Sequence, residues 1–148
     1  MTRRELREHC FKMLFCADFY PAGETGQQFV NYFEAPEEDE PGEEGGNVTL
    51  HDVEDISIED MTYLVKKAEA VIARIPELDK KIDSVAEGWK TKRMGKVDLT
   101  ILRLALYEML YDDEIPERVA INEAVELAKR FGQNESPSFV NGVLAKLV

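Results

Sequence analysis

At 148 residues the chain has the length of one ordinary domain, long enough to bury a single core. Hydrophobic residues make up 44% and charged residues 32%, a balance that excludes a wholly disordered or membrane-embedded chain. Thirty acids against eighteen bases give a net charge of -12, taken whole the wrong sign for a nucleic-acid binder.

Thr2 and Glu5, three residues apart, predict a capping box that starts a helix over about 3–19. Leu6, Cys10, Met13, Leu14 and Ala17 recur at helical spacing along it, and Pro21 and Gly23 end it. Cys10 and Cys16 point about 240° apart around such an axis, so they read as reduced core thiols, which fits a cytosol. A shorter helix around 24–35 carries Phe29, Val30 and Phe33. Residues 34–55 then hold ten acids and no Lys or Arg, whereas 1–33 are neutral and 56–148 carry only -2. The acidic pI therefore describes one segment. With its Pro and Gly and almost no large apolar residue before Val48, this segment reads as a flexible surface insertion. It fits a solvated loop, a mimic of nucleic-acid charge or an interaction tail.

Ser57-x-x-Asp60 caps the next helix, in which Met61, Leu64, Val65, Ala68, Val71 and Ile72 face inward. Pro76 begins another to about Val85, carrying Leu78, Ile82 and Val85. Trp89 and the run KTKRMGK (90–96) form a basic connector with four cations and no acid. The segment VDLTILRLALYEMLY (97–111) is apolar at eleven of fifteen positions, which predicts the central helix of the fold. Ile115-Pro116 breaks the chain. A helix over 117–131 places Ile121, Ala124, Val125, Ala128 and Phe131 on one face and pairs Glu126 with Arg130. Gly132 stops it, and Ser136-Pro137 reads as an N-cap followed by Pro opening a last helix to Val148. No segment reads as a strand or approaches ~18 uncharged apolar residues. The expected fold is all-α, about seven helices.

Catalytic chemistry finds no support. His9 lies on a charged helix face and His51 in the acidic stretch, neither with a nucleophile at a recognisable spacing. The glycines at 42, 45 and 46 sit among glutamates that repel phosphate, and a Cys/His metal site is hard to build from two of each. The first helix says more. Arg3, Arg4 and Arg7 form one patch on its first turns, where cations oppose the helix dipole. Such a cluster fits a phosphate backbone or a solvated helix end. Phe11, Phe15 and Phe139 fit either core positions or platforms for stacked bases.

The stretch VDLTILRLALYEML…IPERVAINEAVELAKRFGQNESPSFVNGVLAKL (97–147) resembles the C-terminal half of the NusB family of bacterial transcription antitermination factors. The opening RRELREHCFKMLFCADF is similar to that family's arginine-rich first helix. The resemblance implies two packed helical subdomains, a cytoplasmic location, no catalysis and no cofactor. It implies binding of single-stranded boxA RNA together with NusE, the ribosomal small-subunit protein. Through that pair it implies indirect contact with other Nus factors and RNA polymerase on ribosomal RNA operons.

By the same resemblance the RNA-facing residues fall on Arg3, Arg4, Arg7 and Lys12, and on Glu135, Ser136 and Phe139. The NusE side falls on Leu14, Phe15 and Asp98, and more loosely on Arg103. Glu5 occupies a position often basic in the family, Phe15 replaces a frequent tyrosine, and the acidic insertion is not a family hallmark. A homodimer that covers both surfaces is the competing expectation. An RNA-binding module of an rRNA cytosine methyltransferase fits less well, because no catalytic domain follows Val148.

Overall fold

The structure, a computed structural model, describes residues 1–34, 56–88 and 90–148. The acidic insertion expected at 34–55 lies outside them apart from Glu34. Among the described residues there are seven α-helices and no strand: α1 (Arg3–Ala17), α2 (Thr25–Glu34), α3 (Ile58–Ala73), α4 (Ile75–Val85), α5 (Lys96–Tyr111), α6 (Glu117–Phe131) and α7 (Ser136–Ala145). Short 3-10 turns at Ala22–Glu24 and Thr91–Arg93 precede α2 and α5. Among the described residues no helix is long and apolar enough to cross a membrane. The chain divides into two compact units, Met1–Glu69 and Ala70–Val148, with the boundary inside α3.

The first unit is built on α1 and α2, which pack together. The expected capping box is present: the Glu5 N–H donates to Thr2 Oγ1 and the Thr2 N–H to Glu5 Oε1, both at 3.1 Å. Two of the four orphan amides at the helix start are thereby satisfied. The helix ends at Ala17, two residues before its expected end, in tight turns that carry the amides of Phe19 and Tyr20 back to Cys16 and Ala17. In α2 the buried pair is Phe29 and Tyr32; Val30 is exposed and Phe33 half-buried, which corrects the expected face. Ser57 Oγ accepts the Asp60 N–H at 3.1 Å, as its spacing predicts.

The second unit is organised around α5, against which α4, α6 and α7 all pack. Leu99, Ile101, Leu102, Leu104, Ala105 and Leu106 are buried around most of its circumference, as a helix apolar on nearly all sides requires. On α6 the buried face is Ala120, Ala124, Leu127, Ala128 and Phe131; Ala124, Ala128 and Phe131 are as expected, while Ile121 and Val125 are half-buried at its margin and Ala120 and Leu127 are buried in their stead. Glu126 pairs with Lys129 at 3.3 Å, an i,i+3 contact.

The α6–α7 junction is tighter than the sequence implied. Ser136 is the first residue inside α7 and is buried, so it is not the N-cap; Glu135 takes that place. The Ser136 hydroxyl instead accepts the Gln133 N–H at 3.0 Å and closes the turn over Gly132. A Cβ on Gly132 would stand 2.6 Å from Ser136 Cβ and Oγ and 2.8 Å from the Ala128 carbonyl oxygen. Gly132→Ala is therefore expected to destabilise the fold by about 1–3 kcal/mol, read as a lower urea midpoint at unchanged m-value.

Candidate RNA and partner surfaces

The first unit carries six of the candidate residues, and helical geometry sorts them. Arg3 and Arg4, on the first turn of α1, are exposed. Arg7 and Lys12 are 6% and 5% exposed and already engaged in contacts within the chain. Arg7 shares a face with Phe11 and Leu14 at i, i+4 and i+7, so its stem runs over core. The exposed cationic patch on α1 is thus the pair Arg3–Arg4. Glu5, beside it, is a capping residue. By accepting the Thr2 amide its carboxyl is held below the usual carboxylate range, and it stays ionised at neutral pH.

His9 does not lie on a charged surface. It is buried, its Nδ1 pairs with the Tyr32 hydroxyl at 2.6 Å, and the two rings meet edge to face. This contact fixes α2 against α1, and no periodic signal announces it, because each residue is polar at one end only. Phe11 is core, wholly buried. Phe15, one turn on, is half-buried; it stacks on Phe11 at 6.0 Å and meets Phe19 edge to face at 5.2 Å. Phe19 is 59% exposed and Tyr20 48%, so an aromatic row runs from the core to the surface at the end of α1. The sequence reading missed Phe19, although its i+4 spacing from Phe15 was the available signal. Leu14 is buried and supports this row from within. Burial raises the Cys16 thiol above its usual value despite the opposing charge of Lys12, which keeps it protonated and unreactive.

In the second unit, Phe139 is half-buried on the first turn of α7, with its N–H bonded to the Glu135 carbonyl at 3.0 Å. Glu135 is exposed beside it, while the Ser136 hydroxyl is committed to the turn. An aromatic edge and a carboxylate in this arrangement can stack a base and accept from its exocyclic amine. Asp98 is half-buried on the first turn of α5. Arg103 is clamped in a bidentate pair by Asp79 on α4, Nε to Oδ1 at 2.8 Å and the second nitrogen to Oδ2 at 2.7 Å. That geometry makes it a bolt between α4 and α5.

The NusB family profile matches residues 4–148. The transcription antitermination protein NusB of Lachnoclostridium phytofermentans is 43% identical over 148 residues, covering 100% of this chain and 99% of its own. That of Agathobacter rectalis is 46% identical over 146 residues, with 99% and 98% covered. Among solved structures, T. maritima NusB superposes with a TM-score of 0.77 at 28% identity, over 99% of this chain and 90% of that one. A chain from a solved complex of the antitermination factors NusB and NusE with double-stranded RNA superposes with a TM-score of 0.69 at 20% identity, over 99% of this chain and 97% of that one, and shares the fold. Matched along nearly its whole length by both profile and relatives, the chain belongs to the NusB family, whose members named here are transcription antitermination proteins.

Proposed function

We propose that this protein is a cytoplasmic antitermination factor that binds boxA-type single-stranded RNA together with NusE. With other Nus factors on RNA polymerase it then helps the enzyme pass terminators on ribosomal RNA operons. The observation that carries the RNA part is the exposed pair Arg3 and Arg4 at the start of α1. Cations there weaken the helix slightly by opposing its dipole, an arrangement that phosphate reverses into a stabilising one. In the second unit Glu135 and Phe139 contact bases, with Ser136 shaping the turn that presents them. Arg7 and Lys12, buried further along α1 and engaged within the chain, add positive charge to the same helix.

On the protein side, Phe15 and Asp98 meet NusE. In the first unit Phe19 and Tyr20 extend the apolar surface beside Phe15 and Leu14 supports it, while in the second unit Arg103 holds α5, the helix of Asp98, against α4. A solved NusB–NusE assembly with RNA among the proteins of this fold supports the pairing. The RNA in that assembly is double-stranded; the half-buried Phe139 supports the single-strand preference here, because an aromatic ring stacks on bases that are themselves unstacked.

Titrating boxA-type and scrambled single-stranded RNA into the chain, with and without NusE, tests this reading. The expected result is weak, salt-dependent binding by the chain alone and tighter, sequence-selective binding with NusE. Equal affinity for both RNAs in the presence of NusE would overturn it. The exposed Phe19 and Tyr20 also favour a homodimer that covers these faces. Light scattering in the same titration separates the two, since a covering dimer must dissociate as NusE binds.

A further inference from the structure

The connector from α4 to α5 carries Lys90, Lys92 and Arg93, and Lys96 opens α5, four cations within seven residues and no acid among them. A free loop with that charge would spread to relieve its own repulsion, but this one is held. The Asp83 carboxylate on α4 accepts the Thr91 N–H at 2.7 Å and the Thr91 hydroxyl at 3.1 Å. The Lys90 ammonium donates to the Asp83 carbonyl at 2.7 Å, and Thr91 and Met94 turn inward as anchors. Gly88, with φ of +79°, supplies the left-handed residue that turns the chain out of α4. The 3-10 turn Thr91–Arg93 thus presents Lys92 and Arg93 outward from a fixed base.

Both side chains are exposed, and among the described residues neither makes a hydrogen bond or ion pair. The acids of α4 nearest in sequence are committed elsewhere in the same unit: Asp83 to Thr91, and Asp79 to Arg103. Even counting the exposed Glu87, residues 84–97 carry a net charge of +3. The turn offers no exposed apolar side chain among the described residues, and lysine is depleted where proteins meet proteins. It leads into α5, which packs on α7, the helix of Phe139. One compact unit therefore holds both halves of single-strand recognition, a half-exposed aromatic and a row of fixed cations.

We infer that the turn at Lys92 and Arg93 is a second phosphate-contact site for RNA, additional to the arginines of α1, that holds the strand's backbone and reads no base. This rests on the RNA-binding reading above. Its test is fluorescence anisotropy of the full chain with a labelled boxA-type single-stranded RNA and with a homopolymer of equal length, across a salt series. Lys92→Gln combined with Arg93→Gln is expected to weaken both RNAs alike, by roughly tenfold at low salt, and to flatten the log–log salt slope by about 1.4 for two lost contacts. Lys66→Gln, an exposed lysine on α3, is expected to change neither. Arg93→Lys in the Lys92 wild-type background is expected to keep the slope.

A double variant with the wild-type slope overturns the inference while leaving the RNA-binding reading intact. A loss seen only when NusE is present also overturns it, by making the turn a contact for an acidic protein. Absence of any salt-dependent RNA binding by the wild-type chain overturns both. A circular-dichroism melt of the double variant is expected to match the wild type, because neither side chain is packed.

Discussion

Arg3→Gln combined with Arg4→Gln is expected to lower RNA affinity by roughly ten- to a hundredfold at low salt and to flatten the salt slope by about 1.4. The two guanidinium groups are the exposed cations of α1, and phosphate contacts by exposed cations act through counterion release, so the loss shrinks as salt rises. Folding should not suffer. Both residues sit on a first turn whose dipole disfavours positive charge, which offsets the loss of the contact Arg4 makes within the chain, so their removal changes stability by no more than a few tenths of a kcal/mol. Arg7→Gln provides the contrast. Its side chain is buried and engaged, so that variant is expected to lower the melting temperature and to leave the salt slope near wild type. A double variant with undiminished slope would place the RNA-contacting cations elsewhere. The capping box must stay intact in these experiments. Glu5 is ionised above its depressed pKa, and the capping contribution is lost only as the pH falls through that value, below any neutral binding assay.

The separation of exposed from buried cations on α1 marks the limit of what the sequence makes legible. Periodicity identifies which apolar side chains share a stripe, and it located each α-helix of the described residues, both capping serine and threonine positions of the first unit and the central place of α5. It carries no information about how wide the buried arc becomes. On α1 that arc spreads from Cys10 and Leu14 to take in Arg7, His9 and Lys12, whose polar ends find partners inside the chain. Tyr32 is buried for the same reason, through its bond to His9, and displaces Val30 from the expected inner face. Ser136 failed as an expected cap because serine before proline fits two geometries. The contact that decides between them, the Gln133 amide on its hydroxyl over Gly132, depends on how closely α6 approaches α7.

The aromatic half of recognition is expected to behave in the opposite way to the arginines. Phe139→Ala should weaken boxA-type RNA by about 1–3 kcal/mol, at every salt concentration, with the slope unchanged, since stacking releases no counterions. The geometry makes this separable from a packing defect. Phe139 is half-buried, so one part of its ring is held by the second unit and the rest is open at the start of α7. Truncation removes some packing, and a modest fall in melting temperature accompanies any affinity loss. Phe139→Leu distinguishes the two contributions. Leucine restores most of the buried volume and none of the π-face, so it is expected to recover the melt and leave the RNA weakly bound. If leucine recovers affinity together with stability, the ring serves the core and the base contact must be sought on another residue. Gly132→Ala bears on the same point from the other side. By forcing Ser136 and the start of α7 to shift, it is expected to reduce the stacking contribution even at temperatures where the chain remains folded, because the ring's open edge is set by that turn.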